Sequence, residues 1–118
     1  MDNENTAEVR QTMNIILYSG DARTLIMQAM DLLGDFKYEE AEAMLQQAHE
    51  KLVSAHELQT QKIQQEAEGE QVEYSILFAH AQDTMMTINT EYNLVSHLLK
   101  VFRKRDAHQK LEVKGDAE

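Results

Sequence analysis

Apolar side chains recur at alternating spacings of four and three residues through the last third of the chain. They are Ala81, Met85, Ile88, Tyr92, Val95, Leu99 and Phe102. This spacing is the heptad seam of a long helix that packs against other helices. A chain constrained in this way is predicted to fold as a helical bundle.

The absence of proline and the positions of the glycines indicate three such helices. Proline is absent, and two of the four glycines, Gly34 and Gly69, fall where the helical periodicity stops and restarts. We predict helices over residues 6–33, over residues 38–67 and from near Ser75 onward. The predicted fold class is all-α, with three long antiparallel helices per chain.

Each of the first two helices is expected to bury one stripe of apolar side chains against the other helices. In the first helix the predicted core stripe is Val9, Met13, Ile16, Gly20, Met27 and Met30, with Leu17, Leu25, Ala29 and Leu32 beside it. In the second helix the residues expected to face inward are Ala41, Leu45, Ala48, Leu52, Ala55 and Ile63. Gly34 is expected to end the first helix, and Asp35 to cap the second.

The chain is predicted to hold one three-helix domain over residues 1–105 and a frayed polar tail over residues 106–118, which carry too little apolar surface to pack. Six of the eleven basic residues lie near this end: Lys100, Arg103, Lys104, Arg105, Lys110 and Lys114. We interpret Lys100 to Arg105 as complementing the C-terminal dipole of the third helix, with a basic docking patch as the alternative.

Charge and composition exclude several functions. A formal charge of −10 has the wrong sign for a nucleic acid partner. The chain has no cysteine, no glycine-rich phosphate loop and no apolar run near 18 residues, and we expect no N-terminal leader because no charged stretch followed by an apolar one begins the sequence. We therefore predict a cytoplasmic protein with no bound nucleotide and no direct membrane insertion.

The start of the third helix carries more apolar surface than one bundle face can bury. Between residues 76 and 88 apolar residues lie nearly all round the helix, which predicts association with further copies or with another protein. Asp83 shares a row with Met86, so its carboxylate needs a cation, hydrogen-bond donors or protonation. His80 and Thr84 lie in one polar row of the helix, within this otherwise apolar segment.

These residues are compatible with two functions from different classes. In the first, His80 is a nucleophile that takes a phosphoryl group and passes it on. In the second, the chain is a non-catalytic helical adapter, because residues 34–41 have the look of a tetratricopeptide helix start. That pattern occurs once, and such repeats need stacked copies for stability.

The segment His80-Ala81-Gln82-Asp83, followed by Met86-Thr87, resembles the active-site helix of the lactose/cellobiose-type enzyme IIA of the bacterial sugar phosphotransferase system. Other pieces agree in order and spacing: Gly20-Asp21-Ala22-Arg23, Gly34-Asp35-Phe36, and Ala55-His56 with Gln59-Thr60. The resemblance covers roughly residues 9–104.

The resemblance implies a homotrimer of three-helix subunits with a phosphorylated histidine, here His80, in a groove between subunits. It also implies a metal on the threefold axis, held by one aspartate per subunit, here Asp83. An all-oxygen site of this kind suits Mg²⁺, one per trimer. His80 would accept phosphate from the histidine phosphocarrier protein and pass it to a cysteine of enzyme IIB during uptake of a disaccharide such as lactose, cellobiose or chitobiose.

Four further residues are candidates for a phosphoryl pocket: Gln82, Thr84, His56 and Gln59. Thr84 stands where the family commonly carries a second histidine. Its hydroxyl can hydrogen-bond a phosphoryl oxygen, but it cannot shuttle a proton near neutral pH. For His56 and Gln59 a structural hydrogen-bond cluster is the alternative.

Overall fold

The computed structural model describes residues 3–70 and 75–117, which form three helices. Helix α1 spans Asn3–Gly34, α2 spans Tyr38–Ala67 and α3 spans Ile76–Ala117. No strand occurs within these ranges. The bundle is elongated, with extents of 77 × 23 × 18 Å. The prediction of three long helices is confirmed, and both ends of α2 lie where the sequence placed them.

The core stripe of α1 differs from the prediction. The buried residues are Thr12, Ile15, Ser19, Ala22, Ile26, Ala29 and Leu33. The prediction that Val9, Met13, Ile16, Gly20, Met27 and Met30 form the core stripe is wrong. All of these are exposed except the half-buried Ile16. Helix α1 has two stripes, and the inward one contains small residues that let neighbouring helices approach closely, whereas the larger methionines lie on the outer one.

The cores of α2 and α3 follow the sequence pattern more closely. In α2, all the predicted inward residues are buried except Ile63, which is 45% exposed. The buried positions near it are Gln59 and Lys62. Lys62 lies with its Nζ 4.9 Å from the centroid of the Phe78 ring and 3.8 Å from the Glu8 carboxylate. A long aliphatic stem with a paired ammonium group can thus occupy a core position.

The predicted seam of α3 is confirmed. Five of its residues are buried, namely Ala81, Met85, Ile88, Val95 and Leu99. The other two, Tyr92 and Phe102, are half-buried and pack against the same core.

The connection between α1 and α2 is a Schellman turn. The N–H of Lys37 donates to the Leu32 carbonyl at 2.9 Å, and the N–H of Phe36 donates to the Leu33 carbonyl at 3.1 Å. Helix α1 does end at Gly34, but the residue in the left-handed conformation is Phe36, with φ of 62°. An aromatic residue is strained in this conformation, which favours glycine.

The start of α2 differs from the expectation that Asp35 caps it. The N-cap position is Lys37, which makes no side-chain capping hydrogen bond. Its carbonyl accepts a hydrogen bond from the Ala41 N–H at 3.0 Å. Glu39 and Glu40 lie in the first turn, where the helix dipole favours negative charge.

The structure also departs from the frayed tail predicted for residues 106–118, because α3 continues as a helix to Ala117. Asp106 accepts a hydrogen bond from the Tyr38 hydroxyl, and this bond raises the pKa of Tyr38. Arg103 binds the Glu42 carboxylate at 2.9 Å. These contacts fix the base of the extension, while the side chains at 107–115 are exposed.

Across the described ranges, none of the three helices is both long and apolar enough to cross a membrane.

Candidate functional site

The candidate nucleophile His80 lies in the second turn of α3 and is exposed. The helix begins directly after Ser75, whose Oγ accepts a hydrogen bond from the Phe78 N–H at 3.1 Å. This is the N-cap interaction that serine provides at helix starts. The cap fixes where α3 begins, and therefore fixes the height of His80 on the bundle.

In the polar row beside His80, the Thr84 side chain is fixed by a hydrogen bond to the backbone. The Thr84 hydroxyl donates to the His80 carbonyl at 2.8 Å. Its single proton is therefore committed to the helix, as is usual for threonine inside a helix, and its oxygen can only accept a further hydrogen bond. Gln82 is half-buried, two residues from His80.

His56 and Gln59 line a groove between α2 and α3 with a volume of about 780 Å³. Met86 and Asn89 of α3 form part of its opposite wall. The groove does not include His80, Gln82 or Thr84. One chain therefore brings His56 and Gln59 together but keeps them apart from the candidate nucleophile.

The same groove contains His49, which the sequence analysis did not select. Its ring centroid lies 5.6 Å from that of Tyr92, at an interplanar angle of 32°. The seven-residue spacing between His49 and His56 places both on one face of α2, and this spacing is the sequence signal for their common location.

Asp83 lies on what we call the outer face of α3. This face consists of the exposed residues Ile76, Asp83, Met86, Thr90, Leu94, His97 and Val101. Their spacing places them on the side of the helix opposite the buried seam. Among them Ile76 is 76% exposed and Leu94 is 61% exposed, which is unusual for apolar residues of this size.

The metal site expected at Asp83 is not formed by one chain. Among the residues that the structure describes, no group of three or more His, Cys, Asp or Glu side chains is placed to hold a metal ion. The exposed carboxylate of Asp83 fits a hard cation only where further copies of the chain bring their own carboxylates to the same point.

Solved structures identify the class of protein to which this fold belongs. The cellobiose-specific enzyme IIA from Bacillus anthracis superimposes with a TM-score of 0.77 at 36% identity, over 83% of this chain and 90% of that one. The chitobiose IIA protein in a IIA(Chitobiose)-HPr complex gives a TM-score of 0.72 at 30% identity, over 82% and 94% of the two chains. The class is therefore that of the sugar phosphotransferase IIA proteins.

Residues 10–103 match the family described as "PTS system, Lactose/Cellobiose specific IIA subunit". The lactose-specific EIIA component of Staphylococcus epidermidis is 37% identical over 90 residues, covering 76% of this chain and 86% of that protein. The chain thus belongs to the lactose/cellobiose-specific IIA family of the phosphotransferase system, and its general role is in sugar transport by phosphoryl transfer. This membership decides against the adapter interpretation.

Proposed function

We propose that this chain is the phosphoryl carrier of its transport system and that His80 carries the phosphoryl group. The observation that supports His80 most directly is its exposure in the second turn of α3, inside the segment that matches the family. A carrier must present its nucleophile to two different proteins in turn. An imidazole buried in the bundle would not reach either of them.

In the proposed reaction a neutral ring nitrogen of His80 forms a bond to phosphorus while the bond from phosphorus to the donor histidine breaks. A cysteine sulfur of the acceptor then takes the same group, and His80 returns to its starting form. Phosphoryl transfer has a loose transition state, so the protein contributes mainly alignment of donor and acceptor and hydrogen bonds to the phosphoryl oxygens.

The proposed donor is the histidine phosphocarrier protein, and the proposed acceptor is the cognate enzyme IIB. Support for the donor comes from the chitobiose IIA relative, which was solved in a complex with HPr. The three relatives named above are described for lactose, cellobiose and chitobiose, and the proposed cargo is a disaccharide such as these. The chain would act in the cytoplasm.

A homotrimer supplies what the single chain lacks. The outer face of α3 leaves large apolar side chains in water, and so does the second stripe of α1, where Val9 is 51% exposed and Leu17 is 58% exposed. Packing against identical copies would remove both faces from solvent. Met86 belongs both to the outer face and to the α2–α3 groove. A copy packed on the outer face would therefore border the groove.

The remaining pocket candidates are assigned within that trimer. We propose that His56 and Gln59 in the groove of one subunit complete the phosphoryl pocket around His80 of a neighbour. Gln82 and Thr84 would contribute from the same helix as His80. The Thr84 oxygen accepts but does not donate in its present geometry, so a water between it and the phosphoryl group would supply the proton.

Asp83 is assigned to assembly rather than to phosphoryl transfer. Three exposed Asp83 carboxylates that converge on a threefold axis would repel one another, and a single Mg²⁺ would offset two of their three negative charges. The ion would be structural, one per trimer.

The test is an intact-mass measurement after incubation with phosphoenolpyruvate, enzyme I and the phosphocarrier protein. The wild-type chain is expected to gain one phosphate, and His80→Ala to gain none while keeping its helical circular dichroism. His108→Ala, which removes another exposed histidine, is the matched control and should label like the wild type. Labelling of His80→Ala, or peptide mapping of the phosphate to His49 or His56, would overturn the assignment.

A further inference from the structure

The end of the bundle remote from His80 carries a cluster that phosphoryl transfer does not use. We call it the basic end and define it by six exposed residues: Phe36, Lys100, Lys104, Lys110, Leu111 and Lys114. Lys110 lies 30 residues beyond His80 on the same helix, a distance of about 45 Å at 1.5 Å per residue.

The four lysines of the basic end share one face of α3. At 100° per residue, positions 100, 104, 110 and 114 fall within about one third of the helix circumference. Neither of the two acidic residues between positions 100 and 114 lies on that arc. Asp106 binds the Tyr38 hydroxyl, and Glu112 lies 2.9 Å from His108. The result is a basic stripe about 21 Å long, with the Asp106 carboxylate at one edge.

Phe36 adds an apolar group beside these lysines. It is 75% exposed, although it occupies the strained left-handed position of the Schellman turn. With Lys110, Val113, Lys114 and Asp106 it lines a shallow pocket of about 470 Å³ on the α3 extension, where two lysines face one carboxylate. A large aromatic side chain that is both strained and held in water is unfavourable for folding and indicates a binding role.

Four of the six residues of the basic end lie outside the segment that matches the family. The match ends at residue 103, whereas Lys104, Lys110, Leu111 and Lys114 lie beyond it. The three-helix core packs through residues that precede this point, the last being Phe102. The extension is therefore not required by the phosphoryl-carrying fold.

We propose that the basic end docks the protein on an anionic lipid surface. Lysine is a strongly hydrated point charge, which suits the diffuse field of a headgroup layer better than the paired geometry of a carboxylate site. Leu111 within the stripe and Phe36 beside it supply the shallow apolar contact of an interfacial helix. The rest of the chain is strongly acidic, so an anionic surface repels it. The protein is therefore oriented with the basic end toward that surface.

This docking contacts the lipid surface about 45 Å along α3 from His80, so other proteins can still reach His80. It goes beyond the proposed phosphoryl function and does not depend on it. His80→Ala is expected to bind vesicles like the wild type, which separates failure of one proposal from failure of the other.

The test is flotation of the full chain with vesicles at low and at physiological salt. Mixed phosphatidylglycerol and phosphatidylcholine vesicles are expected to bind it, with affinity falling as salt rises, and pure phosphatidylcholine vesicles are not. Neutralising one lysine should weaken binding about fivefold, so Lys110→Gln/Lys114→Gln should lose about 25-fold. Arg10→Glu changes the net charge by the same amount at the other end of α1 and should stay within about twofold of the wild type.

Phe36→Gly is the second variant, because glycine accepts the left-handed conformation and the fold is retained. It should bind vesicles more weakly while unfolding at a higher temperature. Absence of binding to anionic vesicles at low salt, or equal loss in Arg10→Glu, would overturn the proposal. Binding of a polyglutamate peptide without binding of vesicles would assign the basic end to an acidic protein and would overturn it as well.

Discussion

The two faces of α3 carry similar apolar side chains but have different surroundings. On one face Ile88 and Val95 are almost fully buried against α1 and α2. On the opposite face Leu94 and Val101 are more than half exposed in the single chain. Helical periodicity alone marks both faces as apolar. It does not say whether a face is covered by the same chain or by another copy, and this distinction separates what stabilises the fold from what builds the site.

The largest effect is expected on the buried face. Ile88→Ala should lower the free energy of unfolding by about 2–5 kcal/mol, because Ile88 is 1% exposed and the change leaves a cavity. Leu94→Ala on the outer face should change it by less than about 0.5 kcal/mol in the separated chain. Urea denaturation of both variants at high dilution makes this comparison. Equal losses would show that the two faces are not distinct.

The next largest effect is expected on the outer face. Leu94→Glu should break the proposed trimer, because burying each such apolar side chain contributes about 1.5–3 kcal/mol and the change would bury three carboxylates. The helical circular dichroism should persist. Gln46→Glu, at an exposed position of α2, adds the same charge and should leave association intact. If Leu94→Glu sediments like the wild type, the outer face is not the interface.

A smaller effect is expected at Asp83, the charged member of the outer face. Asp83→Leu should remain trimeric, because replacing converging buried charges with apolar packing is often neutral or stabilising. Its melting temperature should no longer respond to a chelator, whereas that of the wild type should fall. The variant should still accept phosphate at His80. A metal-free trimer that cannot be phosphorylated would place Asp83 in the phosphoryl site instead.

The smallest effect is expected from Thr84→His. The present side chain donates its proton to the His80 carbonyl, so a histidine there would lose one backbone contact and gain an imidazole one turn from His80. We expect a modest change in the rate of phosphoryl transfer from the phosphocarrier protein. A loss of two orders of magnitude, on the order of 3 kcal/mol, would reveal a specific role for the Thr84 hydroxyl.

The sequence predicts well where side-chain size and periodicity agree. The seam of α3 was predicted correctly for this reason, whereas both ends of α2 were predicted correctly from the positions of Gly34 and Gly69. It fails in α1, where the core-facing stripe contains the small residues Ser19, Ala22 and Ala29 and the exposed stripe carries the methionines. Hydrophobicity ranks the methionines higher, whereas close helix packing selects small side chains.

The turn and the site illustrate two other limits. Gly34 ends α1 as predicted, but the left-handed conformation that sequence rules assign to glycine is adopted two residues later by Phe36. His56 and Gln59 were selected as partners of His80, yet one chain places them in a separate groove. No local pattern specifies a contact between copies, and therefore the completed pocket is a proposal rather than a feature of the single chain.

The most direct test is sedimentation analysis of the wild-type chain at micromolar concentration. If copies of the chain cover the outer face of α3, the protein should sediment as a homogeneous trimer of the 13.6 kDa chain. A clean monomer under the same conditions would contradict this account, because the outer face would then stay in water and His80 would have no neighbouring groove to complete its site.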